Sequence, residues 1–147
     1  MSKAYFFYFS VLSLLLAGCN RQRLSVQSDY LSRENLASYH IGTPDPLLNQ
    51  PRIGQRILVE WSLPEEYLSY SDLHMAMKVR FGNRQEIEKY VSIYKSKGCF
   101  EYSLTDEEYI DKEGIVTYKV DIIGGANILE KWRHQLWTEL ITLCDPR

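Results

Sequence analysis

Between Leu73 and Phe81 the chain alternates: Leu73, Met75, Met77, Val79 and Phe81 take every second position, with His74, Ala76, Lys78 and Arg80 between them. Successive side chains of a strand leave opposite faces, so this pattern gives one apolar face and one largely polar face. A helix would scatter the same residues around its whole circumference. Gly82-Asn83 then supplies a turn. An isolated strand or hairpin is marginal in water, so the chain must bring further alternating segments against this one.

Such segments are present. From Gln55 onward, Ile57, Val59, Trp61 and Leu63 point one way while Arg56, Glu60 and Ser62 point the other, with Leu58 as the exception and Pro64 as the stop. Gly98 separates a Tyr/Ile/Val segment (Ile87 to Tyr94) from Phe100 to Leu104. Gly114 introduces Ile115 to Ile123, in which Val116, Tyr118, Val120 and Ile122 are expected to share a face. Turn signals recurring at roughly 10- to 16-residue intervals suit an antiparallel sandwich. The expected fold is therefore mainly β, an Ig-like antiparallel sandwich.

Two segments also fit a helix. Ile87, Tyr90, Val91 and Tyr94 form a helical stripe, with Asn83 and Glu86 spaced as a capping box and Gly98 as a stop. In residues 128–144, Ile128, Leu129, Trp132, Leu136, Leu140, Leu143 and Cys144 fall on one half of a helical wheel, which leaves an α+β fold with a C-terminal helix as the alternative. Gly124-Gly125-Ala126-Asn127 reads instead as a hairpin connector, and an extended 128–134 would pair with the strand before it.

Val59-Glu60-Trp61-Ser62-Leu63-Pro64 resembles the second strand of fibronectin type III modules, where a tryptophan seats the core and a proline closes the strand. Tyr118-Lys119-Val120-Asp121-Ile122 resembles their sixth strand, where a tyrosine opens an alternating run before a Gly-containing hairpin. The Leu-x-Pro element that usually precedes that tyrosine is missing. The resemblance implies the architecture of one such module, and nothing about activity.

At the N-terminus, an apolar run of 13 residues from Tyr5 to Ala17 follows Lys3 and is broken only by Ser10 and Ser13. A spanning helix needs about 20 apolar residues, so this is the length of a secretory signal rather than of a permanent transmembrane anchor. Leu16-Ala17-Gly18-Cys19 closes it and resembles the lipobox of bacterial lipoproteins. The resemblance implies cleavage before Cys19, diacylglycerol on its thiol and two or three acyl chains in all. Two or more chains make a stable anchor where one is marginal. Asn20, where the family commonly carries Asp for inner-membrane retention, leans towards the outer membrane.

The expected division is a lipoprotein signal peptide at 1–18, a lipidated N-terminus and tether at 19–44, and a single sandwich domain at 45–147. Residues 20–28 are mostly polar, and Ser32 is placed to cap a short helix through Leu36 and Tyr39. Thr43-Pro44-Asp45-Pro46 and Pro51 then interrupt regular structure. Loss of residues 1–18 removes one lysine and no acid, leaving 16 basic residues against 19 acidic ones. A mildly acidic exported chain with no basic stripe has no electrostatic footprint for nucleic acid. Once Cys19 is lipidated, Cys99 and Cys144 remain as a possible disulfide, as an oxidising compartment allows, or as two separate thiols.

The sequence offers no catalytic residues, no metal ligands and no cofactor site. His40, His74 and His134 have no metal or nucleophile spacing, and there is no G-x-S-x-G, S-x-x-K or H-E-x-x-H. Asp106, Glu107, Glu108, Asp111 and Glu113 lack EF-hand spacing and read as a solvated loop or one helical turn capped by Thr105. Tyr67, Tyr70, Tyr90, Tyr94 and Tyr109 either cover core edges or form a recognition surface, for which tyrosine is well suited. The expected function is a non-enzymatic, lipid-anchored envelope protein that binds a protein partner. A glycan- or ligand-binding lipoprotein comes second and an envelope hydrolase third. Three or more exposed aromatics on a concave surface would favour the glycan reading.

Because the thiol takes the lipid, Cys19→Ala is expected to release the protein from membranes and to leave the precursor uncut. Fractionation with intact-mass measurement checks this, and equal membrane recovery of the variant and the parent protein would refute it.

Overall fold

The computed structural model describes residues 22–49 and 51–139. Among these, seven strands form: β1 Leu24–Leu31, β2 Gly54–Ser62, β3 His74–Phe81, β4 Glu86–Ser92, β5 Lys97–Thr105, β6 Ile115–Gly124 and β7 Asn127–Arg133. Two short helices, α1 Ala37–Ile41 and α2 Asp106–Asp111, lie in connections. The strands make two sheets, ordered β1-β2-β5 and β4-β3-β6-β7. Every neighbouring pair is antiparallel. The chain passes between the layers after β2, β4 and β5, and the result is an antiparallel β-sandwich, as the alternation predicted.

One set of side chains holds the layers together. Ile57, Val59 and Leu104 from the first sheet and Met75, Met77, Val79, Val120 and Ile122 from the second are all fully buried. Each such side chain contributes about 1.5–3 kcal/mol over its exposed state. Tyr118 is buried too, and its ring stacks on Trp132 with centroids 5.2 Å apart and planes 8° from parallel. Tyr102, half-buried on β5, has its phenol pushed up to about 12 by burial, with Glu108 adding to the effect.

Both ambiguous segments are strands. Residues 86–92 pair with β3, and residues 127–133 pair with β6; residues 140–144 lie outside the described region. Pairing with a neighbour already in place outweighs a helical stripe that has no apolar groove to fill. The signal peptide, Cys19 and Cys144 also lie outside the described residues.

Three expectations change. The first concerns the tether. Residues 24–31, read from the sequence within the 19–44 tether, form an edge strand along β2 from Leu24↔Trp61 to Leu31↔Gly54. Only Leu24 and Val26 of this strand are buried, so its alternation was too short to stand out. In the segment that follows, a 3-10 turn Arg33–Asn35 leads into α1, and the Ser32 side chain makes no capping bond.

The second change is at Val116, which is 47% exposed rather than on the shared apolar face. Arg80 faces Thr117 while Phe81 faces Ile115, so Val116 is the extra residue of a bulge and Ile115 takes the inward position. The third is Trp61, which lies on the inward face but is only partly buried. Its cross-strand partner is Gly98, where any side chain would overlap the indole, and its Nε1 donates to the Lys95 carbonyl at 3.2 Å.

Ile122→Ala is therefore expected to cost about 2–5 kcal/mol, as buried isoleucine deletions do. Trp61→Ala should cost less than the about 3–5 kcal/mol of a fully buried aromatic. Urea unfolding of the two variants checks the order. A larger loss at Trp61 would mean that the indole, not the interlayer residues, anchors the fold.

Candidate functional site

Strand polarity brings three connections to one end of the sandwich: residues 63–73 between β2 and β3, 93–96 between β4 and β5, and the 124–127 hairpin turn. Backbone bonds knit them together. Leu63 N donates to Ser96 O at 2.7 Å and Ile93 N to Leu73 O at 2.9 Å, and Gly125 N donates to Asp72 Oδ1 at 2.9 Å. At this end lies a cleft of about 590 Å³ lined by Leu68, Tyr70, His74, Tyr90, Ser92 and Tyr94 among others.

Each side chain is placed for a local reason. Glu65–Ser69 form a 3-10 helix after Pro64 and put Leu68 at the rim, 37% exposed. Tyr70 lies over the hairpin, its ring filling the space that a Cβ on Gly124 would enter. Tyr90 stands on the outer face of β4 opposite Ala76, a residue too small to cover it, and stays 64% exposed. The Glu88 carboxylate, hydrogen-bonded to the Tyr90 hydroxyl, holds that phenol above the ordinary tyrosine range. Tyr94, in the connection after β4, is 84% exposed. His74 lies between them, its Nδ1 donating to the Asp72 carbonyl at 2.6 Å and its ring 6.0 Å from that of Tyr90.

The five tyrosines singled out from the sequence thus divide. Tyr67 and Tyr109 pack against the core, as edge covers do, whereas Tyr70, Tyr90 and Tyr94 surround the cleft. Leu68 and His74 were not legible as members of the site. Leu68 sits in a short polar connector, and His74 follows the outward positions of a strand whose neighbours were unknown.

The other singled-out residues go elsewhere. Cys99 is exposed on β5 opposite Glu60, and its pairing with Cys144 falls outside the described residues. His40 is exposed on α1, and His134 lies beside Tyr118 at 5.0 Å with its Nδ1 accepting from Leu136 N. The acidic run forms α2 at the opposite end, with Glu108 paired to Lys112 and no side-chain capping bond from Thr105. Among the described residues no group of three or more His, Cys, Asp or Glu converges on a metal-sized site, and no helix is long and apolar enough to cross a membrane.

The lining of the cleft combines apolar and polar groups. Three phenol rings offer flat apolar area with hydroxyls at the rim, and Ser92, Asp72 and His74 add polar groups between them. Comparison with known proteins gives no match: no family model, no curated protein and no solved structure is similar to this chain at a significant level.

A Cβ added to Gly124 would lie 2.8 Å from Tyr70 Cγ and 2.9 Å from Leu129 Cδ1. Gly124→Ala should therefore displace Tyr70 and destabilise the fold by about 1–3 kcal/mol, the usual cost of overpacking. Chemical shifts of the Tyr70 ring together with the melting temperature check this. An unmoved ring would mean that it does not rest on the hairpin.

Proposed function

We propose that this chain is a lipid-anchored protein of the bacterial envelope, in the outer membrane rather than the inner, that works by binding and not by catalysis. Lipidation at Cys19 supplies the anchor, and the tyrosine cleft supplies the contact with a partner. The observation that carries the reading is the cleft itself. Tyr90 and Tyr94, 64% and 84% exposed, line one concavity together with Tyr70 and Leu68. Exposed, rigid aromatic area around a concavity is what recognition surfaces use.

The leading partner is a protein. Tyrosine presents a large amphipathic area with two side-chain torsions to freeze, which suits a protein interface. A second reading, a sugar-bearing ligand, is favoured by one specific observation: three tyrosines meet on a concave surface, where rings can stack on sugar faces while Ser92 and Asp72 face the hydroxyls.

A photo-crosslinking residue at position 90 in native membranes tests both. Mass spectrometry of the product should recover a defined protein for the leading reading or a saccharide for the second. Tyr94→Ala should reduce the yield several-fold while leaving the melting temperature nearly unchanged, since substitutions of exposed residues usually fall within about 0.5 kcal/mol. Crosslinks no stronger than those from a probe at Ile110, on the opposite end, would overturn the proposal.

A further inference from the structure

The first buried residue of the fold, Leu24, lies five residues after Cys19. An extended chain spans at most about 3.6 Å per residue, so Leu24 sits within about 18 Å of the residue proposed to hold the lipid. It pairs with Trp61 at the start of β1, and Trp61 pairs with Gly98 at the start of β5. That level is the tyrosine end of the sandwich. The nine residues of β2 carry the opposite end about 30 Å further away, at roughly 3.3 Å per residue.

We infer that the tyrosine end is a membrane-docking surface: Leu68, Tyr70 and Tyr94 rest in the headgroup layer of the bilayer that holds the acyl chains of Cys19. This deepens the proposed function and rests on its lipid anchor. It also means that the cleft opens at headgroup level, so a partner at Tyr90 must reside in or on the same membrane.

Four observations support the assignment. The tether is short, and it enters at this end. The exposed side chains there are of the amphipathic kind that settles at bilayer interfaces, two tyrosines with a leucine. Exposed Arg23, Lys95 and Lys97 surround them, offset by Glu65, Glu66 and Asp72, of which Asp72 accepts from the Gly125 amide and Arg23 pairs with Glu130 at 3.1 Å. These groups leave no positive excess, so the aromatic and aliphatic side chains carry the docking. At the opposite end, Asp106, Glu107, Glu108, Asp111 and Glu113 outnumber Lys112 and Arg84 around α2, so the excess of negative charge would be repelled by an anionic leaflet were the domain inverted.

The test uses the full mature lipoprotein in vesicles of phosphatidylethanolamine and phosphatidylglycerol, with an environment-sensitive fluorescent residue at Ala126, on the hairpin tip, or at Ile110, on α2. Headgroup-linked nitroxide lipid should quench position 126 several-fold more than position 110, and aqueous iodide should do the reverse. Lengthening the tether with a Gly/Ser spacer after Asn20 should preserve this difference, and Leu68→Ser/Tyr94→Ser within the lengthened protein should abolish it. Equal quenching at the two positions, loss of the difference on lengthening alone, or its survival in the double variant would each overturn the docking surface. The mass of the N-terminal peptide reads the anchor separately: an acylated Cys19 with no difference in quenching defeats only the docking, whereas an unacylated Cys19 defeats the anchor and the docking with it.

Discussion

The structure depends on a dry interlayer in which eight fully buried side chains from four strands meet. Neither sheet could keep one face apolar without the other. Because the two central strands of the larger sheet, β3 and β6, supply five of those side chains, β4 and β7 need only modest packing of their own. That relief lets β4 carry Glu86, Glu88, Lys89 and Tyr90 exposed, and so frees Tyr90 for a surface role.

What the sequence disclosed follows from that arrangement. β3 was readable because it is central, lined by apolar residues on its inner face and by polar groups on most of its outer face. β1 was not, since an edge strand extending past the core needs only two buried residues. The bulge at Val116 was equally hidden: a period-2 reading assumes unbroken register, and one extra residue moves a side chain to the other face. Trp61 was placed on the correct face but credited with a depth it lacks, because position along a strand, not just parity, sets burial.

The candidate site was legible in kind rather than in composition. Tyrosines standing apart in sequence suggested either core covering or recognition, and both occur. Only the strand order separates them, by setting Tyr90 beside His74 and Ala76 and by folding the 63–73 connection over the hairpin onto which Tyr70 settles. Nothing local at Leu68 announces its neighbours, since they come from β4 and from the segment before β5.

Four strand edges, on β1 and β5 of one sheet and on β4 and β7 of the other, are left without a ladder partner within the described residues. For molecules confined to a plane, lateral encounters are frequent even at low copy number, and open edges are templates for pairing with a second copy. On β4, three of the first four residues carry charge, and on β5 Lys97 and Glu101 are exposed. Desolvating such residues on approach is unfavourable, so on the proposed lipid anchor the ionic character of β4 and β5 would disfavour edge-to-edge pairing of neighbouring copies.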